Sequence, residues 1–306
     1  MNRGFPMTRG LLLATMLLAL GGCSVRQLAV DRLGDALSQG GGAFATDDDP
    51  ELIRAAAPFS LKLIESLLEE SPEHKGLLLA GARGFTQYAY AFLQQEAEEA
   101  EPHDVAQAVR LEDRARRLYR RARDYGLRGL TVRRPDFVRD LRRDPRRALA
   151  AVSAVDVPLL YWTAASWGAL IGLSKSKPDV LGELPIVEAM MDRALELDEA
   201  FDGGAIHTFM IGYEAVRQGA PGDPAVRARR HFERAMELSR GADAAPLLAL
   251  AEAVCIPQQR RDEFEALLKQ ALRIDTERSG ENRLANTVAQ RRARWLLSRT
   301  DHLFTN

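Results

Sequence analysis

Cysteine is almost missing from this chain: Cys23 and Cys255 are the two in 306 residues. A disulfide framework is excluded, and packing has to supply the stability. Long apolar runs are missing as well. The stretch from Leu11 to Leu20 is apolar apart from Thr15, but it falls short of the roughly 20 residues that a membrane-spanning helix needs. Sustained two-residue alternation rich in Val, Ile, Thr and aromatics is absent, which argues against a sheet. An excess of one charge is absent too. The formal net charge is −1, too small to draw the chain toward nucleic acid. With 46% hydrophobic and 28% charged residues the chain still has the composition of a packed globular body, not of a disordered one.

Signatures of chemistry are equally scarce. The five histidines, at 74, 103, 207, 231 and 302, show no zinc-ligand spacing and no His-Glu-x-x-His. There is no Gly-x-Ser-x-Gly elbow and no phosphate-cradling loop; Gly81-Ala-Arg-Gly84 is too short for one. The acidic run Asp47-Asp-Asp49 precedes Pro50-Glu51 and reads as a helix start, since a calcium loop needs further oxygen ligands at fixed spacing. No catalytic residue, metal ligand or cofactor is assigned.

What is present begins at the N-terminus. Arg3 and Arg9 precede the short apolar run, no acid occurs before Asp31, and Leu20-Gly21-Gly22-Cys23 closes it. A basic start, an apolar stretch of this length and small residues before the cut form a secretory signal. The cysteine directly after two glycines resembles the lipobox of a bacterial lipoprotein, in which Cys23 is lipidated and heads the mature chain; an ordinary signal peptide with a chance cysteine is the plainer alternative. Residues 1–22 are then the signal, 23–49 a tethered segment and linker, and 50–306 the folded body. Once Cys23 is acylated Cys255 has no intramolecular partner, and its apolar neighbours Ala251, Ala253 and Val254 suit a buried thiol.

Helical spacing recurs through that body, and so does one sequence pattern. Ala189–Asp198, His231–Ser239 and Leu267–Asp275 resemble one another, with a looser copy at Leu118–Tyr125 and an earlier relative at Leu63–Pro72. Aligning Ala122, Ala194, Ala235 and Ala271 gives separations of 72, 41 and 36 residues, and the first is twice 36. These segments look like second helices of tetratricopeptide repeats, whose period is about 34. The small alanine lets neighbouring helices approach, and Leu or Met nearby buries against the stack. The fold class is therefore all-α, a tetratricopeptide-like solenoid of helix pairs. The candidate first helices lie near 76–93, 158–172, 204–216 and 245–254. They are rich in Gly, Ala and aromatics, and glycine inside a helix costs about 1 kcal/mol against alanine. That cost points to close backbone contact or to a space left open, and in a helical solenoid the first helices line the inner surface.

Between Arg110 and Arg147 fifteen arginines face six acids. The plain reading is a solvated pair of helices; the functional one is contact with anionic lipid head groups or an acidic partner.

Several stretches together resemble the T-component family of TRAP (tripartite ATP-independent periplasmic) transporters. They are the lipobox, Phe44–Glu51, Pro58–Leu67, Val157–Gly168, Asp202–His207 and Ala289–Leu297. The resemblance implies a lipoprotein of stacked tetratricopeptide-like helix pairs, trimeric, on the periplasmic side of the envelope with the outer membrane favoured. It also implies partnership with a periplasmic solute-binding protein of the P-component type. It carries over no catalytic motif.

Candidate lining residues of a solute cavity come from the first helices: Phe85, Tyr88, Tyr161, Trp162, Trp167, His207 and Tyr213. Phe85, Tyr88 and Phe92 share one helical face, as do Ile206, Phe209, Met210 and Tyr213. The competing reading for each is ordinary core: aromatic stripes interlock, a buried histidine finds a partner, and buried tyrosines satisfy their hydroxyls. Two functions follow. One is a non-enzymatic transport accessory that docks a binding protein and holds or passes a small apolar solute. The other is a protein-binding scaffold with no solute site.

Overall fold

The computed structural model describes residues 31–36, 42–174, 178–217 and 219–305. The signal and lipobox readings, Cys23 included, fall outside them. Regular structure among the described residues is helical throughout, and the chain is all-α. No described helix is long and apolar enough to cross a membrane.

Side-chain caps set the helix starts. α1 (Pro50–Glu70) begins where Asp49 accepts hydrogen bonds from Glu51 N and Leu52 N, both at 3.0 Å, with Pro50 in the first turn. α2 (Lys75–Tyr88) continues through a π-helical turn (Ala89–Gln94) into the helix Gln95–Ala100. Asp104 accepts from Gln107 N at 2.8 Å and opens α3 (Val105–Thr131). Two short helices, Phe137–Arg143 and Pro145–Leu149, lead to α4 (Val157–Gly172) and α5 (Leu184–Leu197). Next come α6 (Ala205–Glu214) and α7 (Pro224–Leu238). α8 (Ala245–Leu250) runs into a second π-helical turn (Ala251–Cys255). α9 (Arg261–Leu272) and α10 (Arg283–Ser298) complete the body.

α2 packs on α3, α4 on α5, α6 on α7 and α8 on α9, while α3 also packs on α4 between pairs. This stacking is compatible with the helix-pair solenoid that the repeats predict. Ala122, Ala194, Ala235 and Ala271 are all fully buried, each in the second helix of its pair. The helices approach closely for the reason small residues allow. A Cβ added at Gly126 in α3 would lie 2.0 Å from Thr163 Oγ1 in α4. Replacing Ala194, Ala235 or Ala271 with Leu is expected to overpack these junctions and lower stability by about 1–3 kcal/mol. Unchanged urea midpoints in all three variants would show the repeat register to be misplaced.

The last long helix returns to the first. Arg283 in α10 pairs with Asp48 at 2.7 Å, and Arg291 with Glu51 at 3.5 Å. Arg291 also donates to the Ala91 carbonyl, and Arg292 pairs with Glu98 beyond the first π-helical turn. Leu284 packs on the cluster of Ile53, Phe85, Tyr88 and Tyr119. α10 therefore touches α8 and α9 on one side and the N-terminal helices on the other. Cys255 is fully buried, and burial with Glu263 nearby pushes its thiol up to about 11, which makes it inert.

Candidate functional site

The seven candidate residues separate by environment. Phe85 and Tyr88 lie in the cluster between α2 and α3, where Phe85 stacks on Tyr125 with ring centroids 6.0 Å apart. Trp167 is fully buried; its Nε1 donates to Glu183 Oε2 at 2.7 Å, and the Arg123 guanidinium lies 5.2 Å from its ring. Tyr213 is buried with its hydroxyl donating to Glu188 Oε2 at 3.0 Å. Tyr161 and Trp162 are half-buried. They meet edge to face at 5.0 Å, and Phe201 lies 5.2 Å from Tyr161. Burial raises the Tyr161 phenol above its ordinary range, with Asp202 and Asp243 adding to the shift. Arg83 of α2 sits over the Trp162 ring at 5.9 Å. Asp202 holds a left-handed backbone conformation, φ 47°, at the entry to α6, a strain that aspartate tolerates better than most residues.

His207 is buried against His231 of α7, with the two Nδ1 atoms 2.8 Å apart, so one ring donates and the other accepts. Glu199 lies 3.5 Å from His207 Nε2, Glu214 lies 3.9 Å from His231 Nε2, and Arg217 and Arg234 oppose protonation from the other sides. Burial lowers the pKa of His207 and brings His231 down to about 4, the neighbouring His207 contributing. Folded-state values below the unfolded 6.5 mean that the pair stabilises the fold above pH 6.5 and loses that contribution as pH falls toward 4. Unfolding free energy is expected to drop by up to about 2 kcal/mol from this pair between pH 6.5 and 4.5, and His231→Gln should flatten that limb. An acid limb of equal size in the variant would assign the loss to carboxylates instead.

A second group of inner residues meets at the other end of the first helices. Tyr90, inside the first π-helical turn, is 47% exposed, yet burial pushes its phenol up to about 12, with Glu252 and Glu98 adding to the rise. The ring is thus exposed while its hydroxyl lies among Glu98, Glu252 and Arg292. Glu252, inside the second π-helical turn, accepts from Arg292 Nη2 at 2.9 Å; Glu98 pairs with the same guanidinium, which stacks 4.5 Å from the Trp295 ring. Desolvation raises the Glu98 pKa, and Arg292 holds the rise in check. Gln94 accepts from the Tyr119 hydroxyl at 2.7 Å. Gly172 and Gly212 are exposed, and a Cβ at either would meet nothing within 4 Å.

A separate concavity is lined by Arg146, Glu188, Glu214, Arg217 and Arg227. Its charges are largely matched internally, since Arg217 alone pairs with Glu188, Asp192 and Glu214. Among the described residues no group of three His, Cys, Asp or Glu is placed to hold a metal ion. Sequence spacing could not have found the Glu98–Arg292–Glu252 triad or the His207–His231 contact, because their members are brought together only by the winding of the chain. The fifteen-arginine stretch, by contrast, resolves partly into local pairs: Arg116 with Asp113, Arg123 with Asp124 and Arg139 with Asp136.

Comparison with known proteins gives two findings. Residues 46–304 match the family model described as TRAP transporter T-component. An uncharacterized protein of Treponema pallidum (strain Nichols) is 29% identical over 265 residues, covering 85% of this chain and 82% of that one.

Proposed function

Since this chain belongs to the TRAP transporter T-component family, we propose that it serves TRAP transport as a lipid-anchored periplasmic accessory without catalytic activity. In this reading it docks a solute-binding protein of the P-component type and holds or passes a small apolar or amphipathic solute within its ring of first helices. The observation that supports the solute half is the incompletely buried aromatic pair Tyr161–Trp162, which meets edge to face at 5.0 Å on a first helix. An enclosed, mostly apolar space with a few polar tips is how small-molecule sites are built.

The anchor half rests on Leu20–Cys23. Two or more acyl chains on Cys23 grip a membrane firmly where one alone is marginal. The intact mass of the membrane-extracted chain tests this; a chain that starts elsewhere than Cys23, or lacks acyl mass, overturns it. Docking is tested by sedimentation of the full chain with the solute-binding protein of the same transporter, which also reads whether the chain is a trimer. A joint boundary is expected. Independent sedimentation at tens of micromolar of each would remove the partner. The scaffold reading draws on the packing of Phe85, Tyr88, Trp167 and Tyr213 into helix interfaces; it predicts docking with no solute uptake.

A further inference from the structure

Local pairing leaves part of the arginine-rich stretch unexplained. α3 carries Arg110, Arg114, Arg117, Arg121 and Arg128, and all five are exposed. Their spacing keeps them on one side of a helix with 3.6 residues per turn, so they form a single stripe about 27 Å long. Arg110, Arg114 and Arg117 pair with no carboxylate among the described residues. The acids that flank the stripe, Asp113 and Asp124, are taken up by Arg116 and Arg123. The chain as a whole has a formal net charge of −1, so positive charge is segregated onto this face and is not general.

α1 lies beside the stripe. Arg121 pairs with Glu65 at 3.3 Å, and Arg128 donates to the Pro72 carbonyl at 3.0 Å. Both partners lie 56 positions earlier in the chain, so the two helices run parallel. That register sets Leu52 and Phe59 at the level of Arg110 and Arg117. Leu52 is 56% exposed and Phe59 75%, the most exposed large apolar side chain among the described residues. Glu65, the acid between the helices, is held by Lys62, Arg121 and Tyr125.

The N-terminal segment supplies an independent observation. Asp31 Oδ1 accepts from Ser71 Oγ at 2.8 Å, and the Asp31 carbonyl lies 3.2 Å from His74 Nε2. This is the turn at which Arg128 meets Pro72. Asp31 stands eight positions after Cys23, a span of at most about 27 Å. An anchor at Cys23 therefore holds this end of α1 and α3 within that distance of a bilayer. Anionic head groups supply the charge that the stripe lacks, and apolar side chains beside basic ones enter at head-group level.

We propose that the exposed faces of α1 and α3 form a membrane-facing surface, on which the α3 arginines meet anionic lipid head groups and Phe59 and Leu52 enter among them. The orientation rests on the anchor reading above.

The test uses the mature chain, residues 23–306, carrying Cys23→Ser, so that no acyl group contributes. It is sedimented with vesicles of phosphatidylcholine alone and with vesicles in which about a third of the lipid is phosphatidylglycerol. Binding to the anionic vesicles is expected to be about a hundredfold tighter and to weaken as salt rises. Arg110→Gln, Arg114→Gln and Arg117→Gln together should remove most of that preference, at roughly fivefold per arginine. Lysine at the same three positions should keep it, because head groups are met here as charge and not through the guanidinium fork. Phe59→Ser should weaken binding about tenfold with its salt dependence unchanged. Arg230→Gln, Arg240→Gln and Arg273→Gln together remove the same charge from exposed positions elsewhere and should change binding less than about twofold. Unchanged helical circular dichroism checks that each variant is folded. Equal affinity for the two kinds of vesicle, or equal weakening by both triple glutamine variants, overturns the proposal. So does a stripe variant that binds vesicles normally but no longer sediments with the solute-binding protein, which would assign the stripe to an acidic protein partner. Failure in any of these arms leaves the anchor at Cys23 to its own test by mass.

Discussion

Trp167→Ala is expected to lower the unfolding free energy by about 3–5 kcal/mol, the range for truncating a large buried aromatic. Trp167 has no exposed surface; its indole N–H is held by Glu183, whose carboxylate is also approached by Arg123 and Arg142 at 3.8 and 3.7 Å. Truncation leaves a void between α4, α5 and α3 and strips Glu183 of a donor. The comparison that gives this result its meaning is Tyr161→Ala and Trp162→Ala. Those half-buried rings should cost no more than about 1–2 kcal/mol, because less of their area leaves water on folding, and they should weaken solute binding. Urea denaturation of the three variants decides. If Tyr161 and Trp162 destabilise as much as Trp167 and binding is untouched in the survivors, they belong to the core and the scaffold reading replaces the solute one.

Glu214→Ala should cost about 3–5 kcal/mol for a different reason, the exposure of buried charge without its partner. The Glu214 side chain is 3% exposed at the end of α6. One oxygen accepts from Arg217 Nη1 at 3.1 Å, and the other pairs with Arg227 at the start of α7. Arg217 retains Glu188 and Asp192, at 2.9 and 2.6 Å. Arg227 keeps only backbone carbonyls, those of the 220–222 turn, the closest at 2.7 Å, and that of residue 214 at 3.3 Å. Glu214→Gln, which keeps the shape but not the charge, should fall between wild type and alanine. A loss below about 1 kcal/mol in the alanine variant would mean that solvent reaches and compensates the two guanidinium groups.

The helix pairs were legible because their cause is local and repeated. An alanine recurring beside Leu and Met marks a close helix crossing wherever it occurs, and Ala122, Ala194, Ala235 and Ala271 are all fully buried. Asp49 and Pro50 announced a helix start for equally local reasons. The interior was less legible. Periodicity shows that Phe85, Tyr88 and Phe92 share a face, but an inner helix has apolar faces toward its partner and toward the next pair, and the sequence does not say which is which. Tyr88 packs against Phe92 at 5.4 Å, whereas Tyr90, two residues on, is exposed. Two positions apart, these tyrosines point to opposite sides of a helix, but no residue pattern announces the π-helical turn that shifts the register after them. Glu98, Glu252 and Arg292 could not be associated from the sequence, because their meeting depends on how far the whole stack turns.

The contact of α10 with the N-terminal helices changes how this chain must fold. An open row of helix pairs can grow from any point and fray from either end, each pair answering only to its neighbours. Here Arg283 reaches back 235 positions to Asp48. A contact of such separation carries a large loop-closure cost, which the intervening pairs reduce only after they have formed. Closure therefore comes last, and it comes slowly. Once made, the contact ties the first long helix to the last, and the stack between them is expected to melt as one unit instead of pair by pair.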